Sequence, residues 1–97
     1  MRLWVDDLRP APPGWTHART VEEAQAALVT GLVDEASLDH DLGFEQPDGS
    51  SLVRWMAMTG NWPKAKPVVH SMNPVGRAYM LGVIERYFGM KEGEPRA

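Results

Sequence analysis

VDEASLDHDLG, residues 33–43, is the stretch on which the fold turns. Glu35 to Leu38 reads as a short buried strand that stops at Asp39. Two other runs behave in the same way. Leu3-Trp4-Val5 stops at Asp6-Asp7, and Pro67-Val68-Val69-His70 leads into Ser71 and Asn73. In an open parallel sheet, the carboxyl ends of the strands share one edge, and ligands bind outside it. Residues far apart in sequence are therefore expected to meet there.

The segments between these strands read as helices. Thr20-Val21-Glu22-Glu23 has the form of a capping box, with Thr20 as cap and Glu23 reaching back. Val21, Ala24, Ala27 and Leu28 follow at helical spacing, and Gly31 is the expected stop. Asp48-Gly49 or Ser50 opens a second helix that carries Leu52, Trp55, Met56 and Met58 inward and ends at Asn61-Trp62-Pro63. Asn73-Pro74 starts a third, with Asn as cap and Pro at the first helical position. Met80, Leu81, Ile84, Tyr87 and Phe88 share one face of it, which ends near Gly89. Trp15 to Arg19 is the remaining strand. It follows Pro10-Ala11-Pro12-Pro13-Gly14, a link shorter than the dozen or so residues of a usual parallel crossover. Either that crossover is an extended loop or the strand is misplaced.

Ninety-seven residues suit one domain, expected over residues 1–89, with 90–97 a disordered tail. There is no cysteine, so disulfides, thiolate metal sites and a cysteine nucleophile are excluded. The amino terminus does not read as a signal peptide, and no apolar run approaches a membrane span. A cytoplasmic protein is expected. The net charge is −3 with no basic run, which argues against a duplex nucleic-acid partner. A small phosphorylated ligand fits the acidic balance if a cation lies between. The oligomeric state is left open, a homodimer included.

Asp6, Asp7, Asp39 and Asp41 crowded at one edge would repel each other unless a proton or a cation intervened. A divalent metal is expected on them. Mg²⁺ is the first choice because the ligands are oxygens, and two histidines keep Mn²⁺ or Zn²⁺ open. Asp39 is placed to attack phosphorus or to ligate the metal. His40 and His70 are candidate acid–base groups, although alternation from Asp39 points His40 elsewhere. Ser71, Asn73 and the amide of Gly76 at a helix start could hold phosphate oxygens, and Arg9 and Arg77 could pair with them. His17 reads as structural. The four tryptophans read as core, with Trp15 in a loop near the acidic pair as the exception to watch.

These residues carry a resemblance. An acidic pair ending strand one, Asp39 ending strand three and Ser71 ending strand four resemble the receiver domains of response regulators. Two features differ: a Pro-rich loop replaces the first helix, and the receiver's conserved lysine has no counterpart, which points away from phosphorelay signalling. The chain is more similar to the cyclic-phosphate processing receiver-like family, through LWVDDLRPAPPGW, ARTVEEA, VDEASLDHDLG and VVHSMNPVGRAYM, from Arg2 to about Phe88. The resemblance implies a single three-layer-type α/β domain of truncated receiver or flavodoxin-like form. It would have a short, mostly parallel four-stranded sheet of order 2-1-3-4 and about three helices. It also implies action on a cyclic phosphate, such as a nucleotide or an RNA-end 2′,3′-cyclic phosphate. Asp6, Asp7, Asp39, His40, Asp41, His70, Ser71 and Asn73 would form the site.

Overall fold

The computed structural model describes residues 1–43 and 46–90. Its elements alternate as β1 (Arg2–Val5), β2 (Trp15–Ala18), α1 (Val21–Leu28), β3 (Glu35–Leu38), α2 (Gly49–Thr59), β4 (Val68–Val69) and α3 (Pro74–Tyr87). All strand pairs are parallel, in the order β2-β1-β3-β4, with Val5 opposite both Ala18 and Leu38. The expected sheet order and three helices are therefore present. The strands are shorter than the sequence suggested at two places: β2 stops before Arg19, and β4 is only Val68–Val69. The expected tail lies outside the described residues apart from Met90.

Alternation assigns the two faces of the sheet. Leu3, Val5, Ala18, Ala36, Leu38 and Val69 point to one side and join Val21, Ala24, Leu28, Leu52, Val53, Met56, Met80 and Ile84 in one buried cluster. All three helices therefore pack on that face. Burying each large apolar side chain there stabilises the fold by about 1.5–3 kcal/mol. Met58 does not join them: it is 72% exposed, because it falls on the solvent side of a helix that buries Leu52 and Met56. The tryptophans also differ from expectation. Trp55 and Trp62 are partly buried against the core, whereas Trp4 and Trp15 lie on the other sheet face. Trp15 begins β2 opposite Arg2, at the end of the sheet away from Asp6.

Among the described residues, no helix packs on that second face. The link from β1 to β2 is extended, and its Arg9 carbonyl accepts a hydrogen bond from the Trp4 indole at 3.1 Å. β2 is where the sequence placed it. His17 has the structural role expected, its Nε2 lying 2.6 Å from the Asp6 carbonyl.

Caps fix the helix starts. The Thr20 hydroxyl accepts from Glu23 N–H at 3.1 Å, while the Glu23 carboxylate reaches Arg19 N–H at 3.0 Å, one residue before the cap. Asp48 accepts from Ser51 N–H, and Asn73 accepts from Gly76 N–H, each at 3.0 Å. α1 ends at Leu28, before Gly31, and α2 ends at Thr59, capped by Gly60 in a left-handed conformation with φ +75°, before Asn61. Among the described residues, no helix is long and apolar enough to cross a membrane.

Candidate functional site

The strand ends bring Asp6, Asp39 and His70 together. Each is held by a continuation of the sheet: Asp6 N–H donates to the Ala18 carbonyl, Asp39 N–H to Val5 and His70 N–H to Leu38, at 3.1, 2.9 and 2.9 Å. One ligand atom from each of the three lies within 4.8 Å of the others. They sit beside a cavity of about 570 Å³ lined by Asp6, Asp7, Arg9, Asp39 and Asp41, with exposed Leu8 and Met72 at its rim.

Asp6 is almost fully buried, at 1% exposure. Its Oδ1 accepts from the N–H groups of Leu8 and Arg9 at 2.9 and 2.8 Å, and its Oδ2 lies 2.9 Å from His70 Nε2. Burial pushes its carboxyl upward, but the amides of Arg9 and Leu8 and the neighbouring His70 outweigh that and hold it below the usual carboxylate range. The Arg9 guanidinium donates to the His70 carbonyl at 3.2 Å and stands 3.6 Å from Asp6, half-exposed on the cavity wall. Asp39, 8% exposed, uses Oδ1 to accept from His40 N–H at 2.9 Å. Its other oxygen has no hydrogen-bond partner among the described residues. The carboxylate of Asp7 is likewise unbonded there.

His70 has both ring nitrogens engaged. Nδ1 is 2.7 Å from the Ser37 hydroxyl, and Nε2 faces Asp6. Its ring stacks on Trp4 at 4.0 Å and 3°. Neither Ser37 nor Trp4 was expected at the site. The available signal for Ser37 was a hydroxyl next to the strand end on the opposite parity to Ala36 and Leu38.

The remaining residues fall elsewhere. His40 turns away from the acidic cavity toward a second one of about 340 Å³, lined also by Asp48, Arg54, Asn73, Gly76 and Tyr79. Its Nδ1 lies 2.9 Å from Asp41 and its Nε2 3.5 Å from Asp48. Gly76 lies against the His40 ring, so closely that a Cβ there would meet it at 2.4 Å, and its N–H is taken by Asn73. Asn73 therefore acts as the helix cap, and the Gly76 amide does not face the acidic cavity. The Ser71 hydroxyl is buried and accepts from Asn73 N–H at 3.1 Å. Arg77 is exposed on α3 and lines neither of these two cavities. The three polar clusters thus form two adjoining sites separated by the Asp39–Asp41 segment.

A family model described as cyclic-phosphate processing receiver domain matches residues 1–86. No curated protein and no solved structure matches the chain.

Proposed function

Because the chain belongs to the cyclic-phosphate processing receiver domain family, we propose that it hydrolyses a cyclic phosphodiester with the help of a divalent cation at the Asp6–Asp39 edge. The observation that supports this most is Asp39: a nearly buried carboxylate with one oxygen unpaired among the described residues, close to a second carboxylate and an imidazole. Two buried acids side by side with a free lone pair suit a cation better than they suit each other. The donor set fits, since carboxylate oxygens are the usual ligands of such ions. When bound, the cation would neutralise the acids and polarise the phosphoryl oxygen.

The chain's own residues divide the rest. Arg9 lines the cavity and can pair with a phosphate oxygen. Asp7 is free to accept the proton of an attacking water. Hydrolysis breaks one phosphorus–oxygen bond of the ring, and the proton from water ends on the released hydroxyl. The product is a phosphomonoester. His40 and Arg77 take no part in this reading. The substrate class proposed is a 2′,3′-cyclic phosphate on a nucleotide or an RNA end, within the cyclic phosphates that the family description covers.

The test is purified protein with Mg²⁺ or Mn²⁺ and a panel of 2′,3′-cyclic nucleotides, following monophosphate release. Metal-dependent product is expected, with Asp39→Asn losing it. Equal turnover in Asp39→Asn would overturn the role given to Asp39. Incubation with a small phosphodonor, read by intact mass, tests the rival receiver-type reading: a stable phosphorylated species without turnover would favour it.

A further inference from the structure

Ser37 takes no part in the reading above, yet it is placed as if it had a task. It is a hydroxyl at 5% exposure in the middle of β3, and its Oγ is 2.7 Å from His70 Nδ1. The ring it touches cannot turn easily, because it stacks on Trp4. On the far side of the ring, Nε2 is 2.9 Å from Asp6 Oδ2. A carboxylate only accepts, so in the metal-free protein Nε2 carries the proton. A neutral ring then leaves Nδ1 as an acceptor for the Ser37 hydroxyl.

Nε2 is also positioned to offer its lone pair, because it belongs to the group of ligand atoms from Asp6, Asp39 and His70 within 4.8 Å of one another. It can do so only if the ring proton moves to Nδ1. There it meets Ser37 again. A hydroxyl both donates and accepts, so Ser37 can reverse its hydrogen bond and accept from Nδ1–H without moving. Metal-bound histidines are oriented in this way by a partner on the other nitrogen. The change is an exchange of tautomer: one proton leaves Nε2 for solvent and one is taken up at Nδ1.

We infer that His70 is a nitrogen ligand of the divalent cation and that Ser37 is the positioning residue that lets it become one. This rests on the reading that the Asp6–Asp39 edge holds a cation. It goes further in naming the class of ion. A mixed oxygen and imidazole set suits Mn²⁺, Co²⁺ or Zn²⁺, whereas Mg²⁺ prefers oxygen alone. The ion would then be a transition metal.

The experiment is electron spin-echo spectroscopy of Mn²⁺ added to the whole protein, with Mn²⁺, Zn²⁺ and Mg²⁺ affinities measured by calorimetry. Wild type should show the modulation of a directly bound imidazole nitrogen, absent in His70→Gln, and should bind Mn²⁺ and Zn²⁺ more tightly than Mg²⁺. Ser37→Ala should weaken Mn²⁺ binding about 10- to 100-fold, and Ser37→Thr, which keeps the hydroxyl, should recover it. Bound Mn²⁺ without nitrogen modulation overturns the inference and leaves the proposed hydrolysis standing. Unchanged affinity in Ser37→Ala overturns the role of Ser37. Absence of Mn²⁺ binding at millimolar concentration overturns both the inference and the cation reading. Nitrogen-coupled Mn²⁺ with no cyclic-phosphate turnover supports the inference and counts against hydrolysis. The wild-type spectrum decides the ligand even if a variant fails to fold.

Discussion

Gly49→Ala should damage this domain, although the rule for helices says the reverse. Gly49 is the first residue of α2 and its φ is not in the left-handed region. Alanine at such a position ordinarily adds about 0.4–1 kcal/mol of stability by restricting the unfolded chain. Here the new Cβ would lie 2.2 Å from the Asp39 carbonyl oxygen, 2.7 Å from Met80 Cε and 3.0 Å from His40 Cα. The methionine can move, but the two backbone atoms cannot without shifting the end of β3. The Gly49 N–H bond to the His40 carbonyl, 2.7 Å long, would stretch with them. Overpacking of this kind costs about 1–3 kcal/mol, and backbone against backbone belongs at the upper end. A net loss of about 2 kcal/mol is expected. With a urea slope of about 1–3 kcal/mol per molar for a small domain, the unfolding midpoint should fall by about 1 M. Gly82→Ala is the control. It lies in α3 with nothing within 4 Å of a new Cβ, and should gain about 0.5–1 kcal/mol. A Gly49→Ala midpoint at or above wild type would refute the close approach of α2 to the Asp39 backbone.

Asn73→Ala removes the cap of α3 and should cost about 1 kcal/mol, with faster amide exchange at Gly76 as the local sign. Arg9→Ala should weaken binding of a phosphorylated ligand about tenfold or more, the worth of one hydrogen bond to a charged group, read as a raised KM or Kd. In metal-free buffer the lowered Asp6 carboxyl makes the folded state the weaker proton binder around its usual value of 3.8. Its contribution is therefore complete above that value and is lost as pH falls through the lower folded value. Asp6→Asn should unfold along a shallower acid slope than wild type, and parallel slopes would contradict the assigned direction.

What could be read from the sequence was what local chemistry decides. The end of β3 at Leu38 follows from an apolar run meeting Asp39, and Asn73-Pro74 and Asp48 announced their helices by cap chemistry. The convergence of Asp6, Asp39 and His70 needed only strand ends in a parallel sheet. That His40 turns away from Asp39 followed from alternation, but the closeness of Gly76 to its ring was not legible, because it depends on how tightly α3 meets the Asp39–Asp41 segment. Ser37 was missed for a related reason. Its partner is 33 residues away, just past the end of the neighbouring strand, and register, not local pattern, sets that contact. Met58 was misplaced because helical spacing gives a face whose edges are decided by the neighbouring helix.

Asp6 is a junction. Its N–H bonds to β2, its carbonyl meets His17, and its carboxylate gathers the loop amides and His70 beyond β4. Asp6, Asp39 and His70 meet only when every strand is in place, so a ligand there binds the folded chain and not the unfolded one. By mass action, a concentration one hundred times the Kd adds about 2.7 kcal/mol. For a domain of this length that is a rise of roughly 10–20 °C in Tm. A melting curve thereby becomes a ligand screen that requires no knowledge of the reaction, and the junction that fastens the sheet reports what occupies it.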